Sequence, residues 1–132
     1  ACPGAVTALA RSARHAGLLA AAGPDAKVRL WDPRRAGTAA VQATLAAHRQ
    51  WVSSVAWIEA CPFLLASTSY DGDLKLWDIR SHIPLYTVQA HPNEKGLCVL
   101  SMEKQIFTGG TDGMVKIFSL PDNKLQQMTV DG

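Results

Sequence analysis

Several ingredients of common chemistries are scarce in this chain of 132 residues. Its three cysteines, Cys2, Cys61 and Cys98, are far apart, odd in number and never paired as CxxC. That argues against a zinc site and against a disulfide framework, and predicts reduced thiols in a cytosolic or nuclear compartment. Charge of one sign is also scarce. The net charge is +2 and the basic residues are scattered apart from Arg34-Arg35, so no basic face announces a nucleic-acid surface. No apolar run approaches the roughly 20 residues of a membrane span. The opening ACPGAV lacks the basic-then-apolar layout of a secretory signal. A phosphate-cradling glycine loop, an HExxH helix and carboxylates paired at a catalytic spacing are likewise missing from the sequence. The expectation is one domain with no metal and no cofactor, built on a chain that is 48% apolar.

What is there is a repeat. GPDAKVRLWDPR, SYDGDLKLWDIR and GTDGMVKIFSLP superpose with Asp25, Asp71 and Asp112 in register. Asp71 follows Asp25 by 46 positions, and Asp112 follows Asp71 by 41. An aromatic follows each aspartate by six positions (Trp31, Trp77, Phe118), and a base precedes the aromatic by two (Arg29, Lys75, Lys116). KVRLW, LKLW and VKIF alternate apolar and basic residues, the period-two pattern of half-buried strands. A second apolar run precedes each of these, a third precedes that, and a fourth follows the aromatic. Asp71-Gly72 and Asp112-Gly113 predict tight type I′ hairpins, because that turn needs positive φ. Asp25-Ala26 predicts a different or strained turn. The alanine-rich ARSARHAGLLAAAG has helical propensity, but the repeat overrides so weak a preference.

A period in the forties ending in Trp-Asp is the signature of a four-stranded propeller blade. The chain therefore resembles the WD-repeat family, which implies an all-β fold of three four-stranded antiparallel blades, part of a larger propeller. The units are expected at about 1–47, 48–90 and 91–132, in one domain. The resemblance also implies a buried polar network: Trp77 donates to Ser67, Ser67 to His48, and His48 to Asp71. The third unit carries His91, Thr108 and Asp112, with Phe118 in place of the indole. The first carries Asp25 and Trp31, with Ala21 at the hydroxyl position. Ser, His and Asp in one module also suggest a catalytic triad. Triads are identified by geometry rather than residue type, and the indole would occupy the serine oxygen.

The linkers narrow the likeness. Pro33-Arg34 after the first Trp-Asp, His48 followed by Trp51-Val52, and Arg80-Ser81 with Pro84-Leu85-Tyr86 resemble the C-terminal blades of the WD-repeat ribosome-biogenesis factors of the PeBoW complex. That resemblance implies a non-enzymatic scaffold in the nucleolus or nucleus, acting in large-subunit assembly and pre-rRNA processing. The partners it implies are a second WD-repeat assembly factor and the pre-ribosome. The ubiquitin-like domain through which such factors engage a remodelling ATPase is not in these residues. An enzyme is the second hypothesis. Direct RNA contact is the third, through Arg11, Arg14, Arg29, Arg34, Arg35, Arg49 and Arg80, weighed against a solvated strand face. The partner surface is expected where the loop of His48 and the turn of Asp71 open together, at Arg49, Trp51 and Tyr70, with Lys95 and Thr111 from the third unit. Trp51 has a competing expectation, that it packs over a blade edge. Self-association is expected if three blades leave apolar sheet faces uncovered.

Overall fold

The computed structural model describes residues 5–12, 18–32, 41–81, 83–120 and 126–131. It contains twelve strands and, among the described residues, no helix. The strands are β1 (Ala8–Arg11), β2 (Leu19–Ala22), β3 (Lys27–Trp31), β4 (Val41–Ala46), β5 (Val52–Trp57), β6 (Leu64–Ser69), β7 (Asp73–Asp78), β8 (Pro84–Gln89), β9 (Gly96–Met102), β10 (Gln105–Gly110), β11 (Met114–Ser119) and β12 (Gln126–Asp131). They form three four-stranded sheets, β1-β2-β3-β4, β5-β6-β7-β8 and β9-β10-β11-β12, each an antiparallel meander. Each sheet uses the four apolar runs of one sequence repeat in chain order.

The sheets stack face to face, and β7 shows how one strand serves two cores. Successive side chains on a strand point to opposite faces. Trp77 joins Val52, Val55 and Leu65 against Ala20, Val28, Leu30 and Leu45 of the first sheet. Leu74 and Leu76 point the other way, with Ile58 and Ala66, against Val99, Ile106 and Phe118 of the third. Burying one such aliphatic or aromatic side chain contributes about 1.5–3 kcal/mol, so these two seams hold the stack.

Packing on both faces corrects the half-buried reading of the basic strands. All of β7 except Asp78 is buried, and Arg29 and Lys75 are buried with it. Lys75 shares the Trp77 face, so its stem lies in the seam and its ammonium donates to the Thr87 hydroxyl at 3.0 Å, whereas Arg29 points to the opposite side from Val28 and Leu30 and is held by Asp25 at 2.6 Å. In the third sheet Lys116 is half-buried.

The tight turns are corrected as well. The hairpins at residues 24–26, 70–72 and 111–113 are three-residue loops, not two-residue type I′ turns. Only the last residue of each has positive φ: Ala26 at 65°, Gly72 at 84° and Gly113 at 76°. A type I′ turn would need positive φ at two residues, whereas a three-residue loop needs it at one. The amide of that last residue closes each loop on the carbonyl three positions back, Gly23, Ser69 or Gly110. Ala26 adopts the glycine conformation with a Cβ in place, which is the strained form of the first turn.

Candidate functional site

The Asp71 turn holds its carboxylate inward. The Trp77 indole donates to Ser67 Oγ at 2.8 Å. An indole N–H only donates, so the serine hydroxyl is free to donate in turn to His48 Nε2 at 2.7 Å. That leaves the proton on His48 Nδ1, which donates to Asp71 Oδ2 at 3.2 Å. The backbone N–H groups of Arg49 and Asp73 donate to the same carboxylate at 2.9 Å each. Burial alone would oppose ionisation of Asp71, but the bonds from His48, Arg49 and Asp73 outweigh it and hold the carboxyl well below the usual range. Ser67 is fully buried with its oxygen taken by the indole, so it has no path to a substrate carbonyl. Ser67, His48 and Asp71 are thus bonded in a triad-like chain with the Trp77 indole at its head.

The third sheet repeats the arrangement without the indole. His91 Nδ1 lies 2.9 and 3.0 Å from the two Asp112 oxygens, and Nε2 lies 3.0 Å from the Thr108 hydroxyl. Phe118, buried, fills the place of Trp77. Asp112 is also held low, because bonds from His91 and the Met114 amide and the Lys116 charge outweigh burial. In the first sheet Asp25 accepts from the Lys27 amide at 3.3 Å and pairs with Arg29, and Ala21 lies opposite Arg29 in the ladder. Asp25 thus turns to Arg29, and Trp31 at the far end of β3 is half-buried.

Around these turns the structure gathers the five residues expected at a partner surface. Trp51 is 38% exposed and its ring centroid lies 5.5 Å from that of Tyr70, at 33°. The Lys95 ammonium sits 4.9 Å over the Tyr70 ring. The Arg49 side chain is 70% exposed, 3.6 Å from Asp73. The Thr111 hydroxyl accepts from the Lys95 amide at 2.9 Å and donates to Glu94 at 2.7 Å. Tyr70 is half-buried rather than exposed, because its neighbours cover the ring. Arg49, Tyr70, Lys95 and Thr111, with Gln50 and Gln89, line a groove of about 930 Å³ between the second and third sheets. Trp51 stands beside it, and its indole donates at 3.0 Å to the hydroxyl of Thr7, which leads into β1 of the first sheet. The residue therefore spans a seam as well as flanking the groove.

Sequence reasoning missed the bonds between sheets. The Trp57 indole donates to the Ala10 carbonyl at 3.0 Å. Ser53 donates to the Gly96 carbonyl at 2.6 Å, and Ser54 accepts from the Val99 amide at 3.2 Å. The serines of WVSSVAW were the available signal, since hydroxyls on a buried strand need partners.

Of the arginines considered for RNA, Arg29 is buried on Asp25. Arg80 grips Asp78 with two donors, at 2.7 and 2.9 Å, and lies 4.2 Å over the Phe63 ring. Arg14, Arg34 and Arg35 lie outside the described residues, as does Cys2. Among the described residues no group of three His, Cys, Asp or Glu is placed to hold a metal, and no helix is long and apolar enough to cross a membrane.

Comparison with known proteins matches the family described as WD domain, G-beta repeat, over residues 40–78 and 82–119. A ribosome biogenesis protein WDR12 homolog from Nematostella vectensis is 41% identical over 102 residues, 76% of this chain and 24% of that protein. Its counterpart from Arabidopsis thaliana is 39% identical, over 77% of this chain and 24% of its own length. The Dictyostelium discoideum counterpart is 35% identical, over 86% and 27%. The chain thus spans about a quarter of the curated relatives it matches. Among solved structures, the RRP9 WD40 repeats and U3-55K each superpose with a TM-score of 0.79 at 22% identity, over 98% of this chain and 41% of theirs. At that identity the likeness is one of fold: three blades of a WD40 propeller.

Proposed function

The chain belongs to the WD40-repeat family, and from that premise we propose that it is a protein-interaction scaffold of large-subunit ribosome assembly, acting without catalysis in pre-rRNA processing. The observation that carries the reading is the group of relatives named for ribosome biogenesis, 35–41% identical over at least three quarters of the chain. Its place of work is the nucleolus or nucleus. The units of about 1–47, 48–90 and 91–132 act as one domain. The groove flanked by Trp51 and lined by Arg49, Tyr70, Lys95 and Thr111 is the docking surface for a second WD-repeat assembly factor. Rigid strands present these loop residues together, and Trp, Tyr and Arg are the types that dominate protein–protein hot spots.

Isothermal titration with that factor's propeller tests the reading. Separate Arg49→Ala, Trp51→Ala and Tyr70→Ala variants should include at least one that loses about 1–2 kcal/mol of binding with the fold intact. Full binding by all three would move the interface elsewhere. Loss of the fold in Trp51→Ala alone would assign that indole to the seam through Thr7.

A further inference from the structure

We propose that the groove between the second and third blades takes an extended acidic segment of a partner protein, its carboxylates pairing with Arg49 and Lys95. The inference rests on the interaction reading above and names the chemistry of the partner.

The groove is lined by two cations, Arg49 and Lys95, and two acids, Asp71 and Glu94. Formal charge therefore decides nothing, and what matters is which groups are still open. The Asp71 side chain is 1% exposed and takes three donors from its own blade. Asp73, beside it, is 10% exposed. Glu94 accepts the Thr111 hydroxyl at 2.7 Å. The cations are engaged far more weakly. Arg49 meets Asp73 at 3.6 Å, beyond hydrogen-bond length, and most of its side chain faces solvent. Lys95 rests over Tyr70, a contact that orients the ammonium without neutralising it. An arriving carboxylate thus finds a guanidinium fork and an ammonium ready to donate, and charge-assisted bonds of this kind are the strong ones. An arriving lysine would find Asp71 sealed and one exposed carboxylate, Glu94, set against two exposed cations. The amides of Gln50 and Gln89 stand in the same lining and can bond a peptide backbone.

Phosphates are anionic too, but single-stranded RNA is held largely by bases stacking on open aromatic faces. Tyr70 is half-buried with Lys95 over its ring, which leaves a single partly exposed ring, Trp51, beside the groove rather than a row of stacking platforms. The site therefore fits a protein segment rather than RNA.

Fluorescence anisotropy on the full chain tests this with three labelled probes: a short Asp/Ser peptide, its Lys/Ser counterpart and an oligouridylate. The Asp/Ser peptide should bind best. Arg49→Glu with Lys95→Glu should weaken it by about tenfold or more, Lys95→Glu alone by less, and Glu94→Gln should strengthen it. Far-ultraviolet circular dichroism establishes that each variant is folded. Equal or better binding of the Lys/Ser peptide, indifference of the Asp/Ser peptide to both substitutions, or tighter binding of oligouridylate would each overturn the proposal. The partner propeller separates the two readings. If Tyr70→Ala weakens its binding while the double charge reversal does not, the groove is a docking site and the acidic inference falls. If neither matters, the docking reading itself falls.

Discussion

Trp77 and Phe118 occupy matching places in adjacent blades, so the chain carries its own comparison of an indole with a phenyl ring. Both are buried, and only the indole reaches the hydroxyl beneath it. Trp77→Phe should cost about 1–3 kcal/mol in urea denaturation, because Ser67 loses a buried donor as well as packing. An unchanged midpoint would mean that the Ser67 bond contributes nothing. Asp71 adds a pH dependence. Its folded carboxyl ionises at lower pH than an ordinary one, which titrates at about 3.9. The stabilisation is therefore complete above that value and is lost as pH falls below it, where the unfolded chain binds the proton first. Denaturation midpoints measured from neutral pH downward should fall in that acid range. Asp71→Asn should start lower and lose less there, and an equal acid loss in both proteins would place the effect on other carboxylates.

Among the elements, the three hairpin loops share one backbone shape with different occupants. A Cβ at Gly72 would run into the His91 carbonyl and come within 2.8 Å of the Glu94 carbonyl, whereas one at Gly113 would meet nothing within 4 Å. Both residues have positive φ, so alanine at either is strained by about 1–2 kcal/mol, and only at Gly72 does a backbone clash add to it. Thermal unfolding should rank Gly72→Ala well below Gly113→Ala. Ala26→Gly should raise stability by about 0.5–1 kcal/mol by relieving the left-handed alanine. Equal losses at Gly72 and Gly113 would show that the 91–94 loop yields freely to the turn.

At the scale of the molecule, the two seams leave outer faces uncovered. On the third blade, the face turned away from the second presents Leu100, Met102 and Val115, exposed at 58%, 54% and 40%. With Cys98 and Phe107, Leu100 and Val115 line a shallow hollow of about 190 Å³. Apolar surface of this kind associates in water. Sedimentation velocity on the 132-residue chain should show a weight-average coefficient rising with concentration, and Leu100→Lys with Val115→Lys should abolish the rise. A compact monomer throughout the range would show that the face is tolerated uncovered.

The repeat of Asp25, Asp71 and Asp112 with its trailing aromatic determined the strand order and the number of sheets, because period-two patterning and turn chemistry are local properties of the chain. The polar network was legible from the same register. Contacts between blades were not. That Lys75 is buried, that Trp51 bonds Thr7 and that Ser53 bonds the Gly96 carbonyl depend on which sheet face meets which. A single strand pattern cannot tell a face that meets water from one that meets another sheet. The groove likewise exists only between blades, where residues from two repeats converge, and only the tertiary structure decided that Asp71 is sealed within it while the Arg49 side chain faces solvent.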